Sequence, residues 1–142
     1  MKAGVYCEEG PADVIKVRDF PVPIAKDGEV VIRMLATSLN PVDFKLRAYP
    51  MNSSSRPLPF IPCVDFCGIV TSTHMCSDPH VSEGDIVFGF TEILGNSFGA
   101  LASIITVREE FVASCPHAAY YDDASLAGML QTLNPFTFSI IS

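Results

Sequence analysis

The chain has 142 residues, of which 49% are hydrophobic and 18% charged, and its formal net charge is -7 from 9 Lys and Arg against 16 Asp and Glu. That length fits one domain, and the composition supports a packed core rather than a disordered chain. An acidic surface with scattered basic residues repels phosphate backbones and argues against nucleic acid as a partner.

The N-terminus, Met1-Lys2-Ala3-Gly4-Val5-Tyr6-Cys7-Glu8-Glu9, lacks the apolar core of a signal peptide, and no apolar run approaches bilayer length. No membrane partner is expected. The five cysteines have no regular framework of spacings, which fits reduced thiols and a cytoplasmic location.

Eleven prolines and nine glycines punctuate short β-branched runs, so the predicted fold is mainly β with few helices. Lys2–Tyr6 and Val14–Asp19 read as a first pair of strands around the turn Glu9-Gly10-Pro11. Pro21 and Pro23 extend the chain. Glu29–Leu39 reads as a long strand that puts Val30, Ile32 and Met34 on one face. Asn40-Pro41 then opens a short helix, Pro41–Ala48, with Asn40 as N-cap, Pro at the first position and Asp43 in the first turn. The Ser/Pro-rich stretch Met51–Pro59 reads as a surface loop.

Asp65–Thr73 is a predicted strand in which Gly68 marks a close approach of backbone or ligand. Ile86–Phe90, Ala100–Val107 and Phe111–Ala113 are predicted strands. A helix is expected over Asp122–Leu133, ended by Pro135. The tail 134–142 alternates apolar and polar residues and requires a docking surface on this domain, on a partner or on further chain.

Several motifs occur in a known order: Lys2-Ala3, Leu39-Asn40-Pro41-Val42-Asp43-Phe44-Lys45-Leu46-Arg47, Pro59-Phe60-Ile61-Pro62-Cys63-Val64-Asp65-Phe66-Cys67-Gly68, Gly84-Asp85-Ile86-Val87-Phe88-Gly89 and Gly99-Ala100-Leu101-Ala102. In this order they resemble the medium-chain dehydrogenases/reductases, and within them the zinc-free quinone oxidoreductase branch. The resemblance implies a GroES-like, partly open β-barrel over residues 1–133, which in the family precedes an NADPH-carrying Rossmann domain. It also implies hydride transfer to a quinone or enone bound between the two domains. By the same resemblance Asn40, Lys45 and Thr132 would face the cofactor. Tyr49, beside the Ser/Pro-rich loop, has an aromatic ring suited to stack on a substrate ring.

The chain departs from relatives in two places. Zinc-dependent relatives have a Cys where this chain has Asn40 and a His-Glu pair where it has Val64-Asp65, and neither Asn40 nor Val64 is a usable zinc ligand. The family usually has Gly where this chain has Cys63, so a positive φ there would strain the backbone. No G-x-G sequence occurs, so the Gly-rich dinucleotide turn is missing from these residues. The expectation is a truncated chain that binds no NADPH tightly and has little activity by itself.

Three rival readings compete with this one. Cys63, Cys67, His74, Cys76 and His80 lie close in sequence, but their spacings fit no standard zinc motif. Gly95-Asn96-Ser97-Phe98-Gly99 matches the G-x-S-x-G nucleophile elbow, which needs a strand before it and a helix after it. A β-barrel with an apolar tail also fits a non-catalytic module that forms a homo-dimer or pairs with a full-length relative.

Overall fold

The computed structural model describes residues 1–49, 58–92 and 98–115, together with the backbone of 138–141. It is mainly β, with one α-helix and two 3₁₀ turns among the described residues. Strand β3 (Glu29–Leu39) is the centre of the main sheet. It pairs antiparallel with β4 (Asp65–Ser72) along one side. Along the other side it pairs first with β6 (Ile104–Arg108) and then with β8 (Phe138–Ile141). Strands β5 (Ile86–Phe90) and β7 (Val112–Ser114) continue beyond β4. A separate pair, β1 (Lys2–Val5) and β2 (Lys16–Asp19), covers one side. The strand path does not close on itself, so the barrel is partly open as the sequence led us to expect.

Alternation along β3 builds the core. Val30, Ile32 and Met34 are buried with Phe66, Val70, Val87, Ile105 and Val107. A register shift against β4 between Met34 and Ala36 breaks the period of two. Beyond it Ala36, Thr37 and Ser38 are all buried. The bulge therefore delivers polar side chains to the interior just before the helix α1 (Pro41–Ala48) begins.

The structure corrects four strand boundaries. Ala12–Val14 is a 3₁₀ turn entered from the extended Pro11, so β2 starts at Lys16. Tyr6 leaves the first pair of strands to bridge Phe60. Phe111 belongs to the 3₁₀ turn Glu109–Phe111, and β7 starts at Val112. Residues 100–103 form bends with a bridge at Ala102 and bond elsewhere before β6 begins. The amides of Gly99, Ala100 and Leu101 donate to the carbonyls of Ile61, Cys63 and Pro62 at 2.8, 2.7 and 3.0 Å. The Leu101 carbonyl accepts from Gly4 at 2.8 Å, which ties β1 to the main sheet.

Gly99 makes this crossing possible. A Cβ there would stand 2.3, 2.4 and 2.6 Å from the carbonyl oxygens of Ile61, Pro62 and Cys63. At Gly68 a Cβ would stand 2.5 Å from the carbonyl oxygen of Arg33. The close approach expected at Gly68 is thus made by the neighbouring strand. Gly99→Ala should push two backbones apart and cost about 1–3 kcal/mol. Urea unfolding of the variant against the parent chain measures this; an unchanged midpoint would contradict the crossing.

Candidate functional site

The end of β3 and the start of α1 meet the segment that leads into β4. Asn40 has an extended backbone (φ -113, ψ 157), as an N-cap requires, and Pro41 follows at the first helical position. The backbone N–H of Asn40 donates to Asp43 Oδ2 at 2.7 Å. The other oxygen, Asp43 Oδ1, accepts the backbone N–H of Cys63 at 2.9 Å. Asp43 is buried (5% exposed), so its carboxylate is a structural tie between two chain reversals.

Asp65 anchors a second group. Its Oδ2 accepts from Ser38 Oγ and from Asn40 Nδ2, each at 2.7 Å, and its backbone carbonyl accepts from Thr37 Oγ1 at 2.7 Å. The Asn40 amide, 6% exposed, is thereby held in one orientation. By the resemblance above, zinc-dependent relatives have Cys at position 40 and a His-Glu pair at 64 and 65; here the Asn40 side chain hydrogen-bonds to Asp65. Among the described residues no group of three or more His, Cys, Asp or Glu side chains is placed to hold a metal ion.

The thiols and histidines of the metal reading are spread apart. Cys63 and Cys67 belong to different buried clusters. The Cys76 thiol faces the Glu29 carbonyl at 3.6 Å, and His80 pairs with Glu109 at 2.9 Å and with the Val112 carbonyl at 2.9 Å. The nucleophile-elbow reading fails on its context: Ser97 lies outside the described residues, but Phe98 bridges Ile61 and no helix lies between it and β6, where an elbow needs one.

A cavity of about 430 Å³ opens at this junction. Asn40, Asp43, Phe44 and Arg47 line it together with Ala12 and Ile15. Arg47 braces it: Arg47 Nη1 donates to the Gly10 carbonyl at 2.6 Å, and the Gly10 N–H donates to the Arg47 carbonyl at 3.0 Å. Of the four site residues expected from sequence, Asn40 lines this cavity. Lys45 is exposed on α1 outside its lining, and Tyr49, the residue after α1, is 64% exposed and also outside it. Thr132 lies outside the described residues. Sequence reasoning missed Asp65 as the partner of Asn40, and Phe44 and Arg47 as walls. Their spacing on the helix, three residues from Phe44 to Arg47 with Asn40 just ahead, was the available signal.

Cys63 has φ 73, the positive value at which the family's Gly would be unstrained. Its thiol is fully buried. Burial, and then the charge of Asp43, push that thiol up to about 12, so it is neutral and inert. Burial also raises the Asp43 carboxyl above its usual 3.8, and the nearby charge of Asp65 adds to the rise, while the two N–H donors oppose it.

The comparisons with known proteins agree with this geometry. Residues 26–117 match the model of the alcohol dehydrogenase GroES-like domain, and the chain belongs to that family. It is 34% identical over 138 residues to a 2-methylene-furan-3-one reductase of Solanum lycopersicum, covering 93% of this chain and 35% of that protein. It is 34% identical over 134 residues to the chloroplastic NADPH-dependent alkenal/one oxidoreductase of Arabidopsis thaliana, covering 91% of this chain and 34% of that protein. The quinone oxidoreductase of Coxiella burnetii superposes with a TM-score of 0.75 at 28% identity, covering 95% of this chain and 44% of that one. The chain thus spans about a third of the length of the two curated relatives. Among the described residues no helix is long and apolar enough to cross a membrane.

Three outcomes test the site's construction. Asp43→Ala leaves the amides of Asn40 and Cys63 without their acceptor and should cost at least about 2 kcal/mol in denaturant unfolding at neutral pH. Because the native carboxyl holds its proton more tightly than the unfolded chain does, its contribution to stability is complete below pH 3.8 and is lost as pH rises through the native value. The stability of the parent chain relative to Asp43→Asn should therefore fall as pH rises from the mid-3 range. Cys63→Gly should be more stable than Cys63→Ala by roughly 1 kcal/mol, since both lose the thiol and only Gly relaxes the positive φ. Equal midpoints for that pair would mean the turn carries no strain.

Proposed function

We propose that this chain supplies the substrate-side wall of an NADPH-dependent quinone or enone reductase, with Asn40 on the nicotinamide side. The observation that carries this reading is the Asn40 amide, fixed by Asp65 at the rim of the cavity beside α1. A cavity of that volume is of ordinary size for a small-molecule site. Its donor set suits the nicotinamide end of the cofactor: an oriented amide, the Phe44 ring and a braced guanidinium. The described residues offer nothing comparable for the pyrophosphate, which in dinucleotide folds needs the Gly-rich turn at a helix start.

The cofactor, when bound, supplies the hydride. This chain's own residues orient and enclose. Asn40 holds the carboxamide edge, Lys45 offers a cation near the mouth and Thr132 a further hydroxyl donor, while Tyr49 meets the substrate ring. Chemistry of this kind depends on position and on charge stabilisation more than on a strong acid or base. That agrees with a site whose carboxyl Asp43 and thiol Cys63 are both committed to structure. Zinc takes no part in the proposal, because Asn40 and Asp65 satisfy each other.

The reading also holds that this polypeptide by itself has little reductase activity. Titration of the isotope-labelled chain with NADPH should move amide and side-chain signals of Asn40, Phe44 and Lys45 with a Kd weaker than about 1 mM. Asn40→Ala should abolish those shifts without unfolding the domain. Shifts confined to other surfaces would overturn the assignment. Turnover of NADPH with a quinone or enone by the purified chain would overturn its inactivity.

A further inference from the structure

The cavity beside α1 holds a cation that its brace does not use up. Arg47 is half-buried in the lining and spends Nη1 on the Gly10 carbonyl at 2.6 Å. Among the described residues Nε and Nη2 have no hydrogen-bond partner, and no carboxylate stands within ion-pair distance of the guanidinium. Those two nitrogens form one edge of a planar fork, the edge that meets a two-oxygen anion with a pair of parallel bonds. Bracing a backbone carbonyl asks for a single N–H, which a lysine ammonium also supplies. The fork therefore offers more than the brace needs.

The other charged group of the lining is already committed. Both oxygens of Asp43 accept backbone N–H groups, one from Asn40 and one from Cys63, so its carboxylate is no partner for Arg47. Ala12, Ile15, Leu39 and Phe44 make the rest of the wall largely apolar. The cavity of about 430 Å³ thus combines an oriented amide, apolar side chains and an unmatched guanidinium edge. An occupant that satisfies all three has a short apolar carbon skeleton ending in a carboxylate.

We propose that Arg47 is a specificity-determining residue whose second guanidinium edge binds a substrate carboxylate, so that the enone taken here is an unsaturated oxo acid. This rests on the reductase reading, which gives the carboxamide to Asn40 and leaves that edge of Arg47 without a task. The chain's formal net charge of -7 repels anions from its surface in general. An anion that binds better than its neutral counterpart must then do so through a local cation.

Two probes with one carbon skeleton test this: 4-oxopentanoate and its methyl ester. Both are saturated, so neither alkylates the exposed Cys7 thiol. Titrated into the isotope-labelled chain, the acid should move the Nε–Hε signal of Arg47 and the amide of Phe44, and bind roughly fivefold or more tightly than the ester. Arg47→Gln should abolish that preference, and Arg47→Lys should keep part of it. If Arg47→Gln fails to fold, the acid–ester comparison on the unaltered chain decides alone. Equal affinity for the two probes, or shifts confined to residues away from Arg47, would overturn the inference. NADPH added to the same chain separates the two readings. If NADPH moves Arg47 Nε–Hε and the acid does not, the edge serves a cofactor phosphate and the inference fails. If NADPH moves Asn40 while acid and ester bind alike, the inference fails and the reductase reading stands. If the acid shows its preference at Arg47 while NADPH leaves Asn40 unmoved, carboxylate recognition stands and the reductase reading falls.

Discussion

The carboxylate of Asp43 holds together the part of the molecule on which everything else is arranged. Its two oxygens bond the backbone at Asn40 and at Cys63, residues twenty-three apart in sequence, and so lock the start of α1 against the turn before β4. Without that tie the Cys63 turn would have no reason to keep a positive φ. The carbonyls of residues 61–63 would also not stand ready for the three amides that follow Phe98. A single buried acceptor thus couples a helix, a strained turn and a strand crossing, and burial, more than the nearby charge of Asp65, makes the loss of its proton costly.

Around that tie the chain has built a polar cluster. Ser38, Asn40 and Asp65 satisfy one another, and Thr37 closes the set through the Asp65 carbonyl. β3 supplies the buried Thr37 and Ser38 to it just beyond the register shift between Met34 and Ala36. The cluster fixes the Asn40 amide at the rim of a cavity, and the Arg47–Gly10 brace holds the opposite wall. The chain's membership in the alcohol dehydrogenase GroES-like domain family is shown by the match over residues 26–117. The family match and the geometry rest on different observations.

Much of this was legible in the residues themselves. The bounds of β3, α1 and β5 follow from β-branched alternation, from Asn-Pro at a helix start and from flanking turns, all local signals. The need for positive φ at Cys63 was visible from the Gly that relatives carry there. The beginnings of β2, β6 and β7 were not: a 3₁₀ turn precedes β2 and β7, and the amides ahead of β6 bond a distant segment. Residues 99–101 look like strand by propensity but spend their amides on residues 61–63.

The sequence by itself determined the class of fold and the order of its elements, because those depend on periodicity, capping chemistry and residue type. Only the tertiary structure decided that Asp65 orients Asn40, that Asp43 bonds two reversals, that Lys45 and Tyr49 stand outside the cavity Asn40 lines, and that the last strand lies against β3. The reason is that hydrogen bonds and burial between residues far apart in the chain have no signature in local pattern; they exist only once the backbone has brought the partners together.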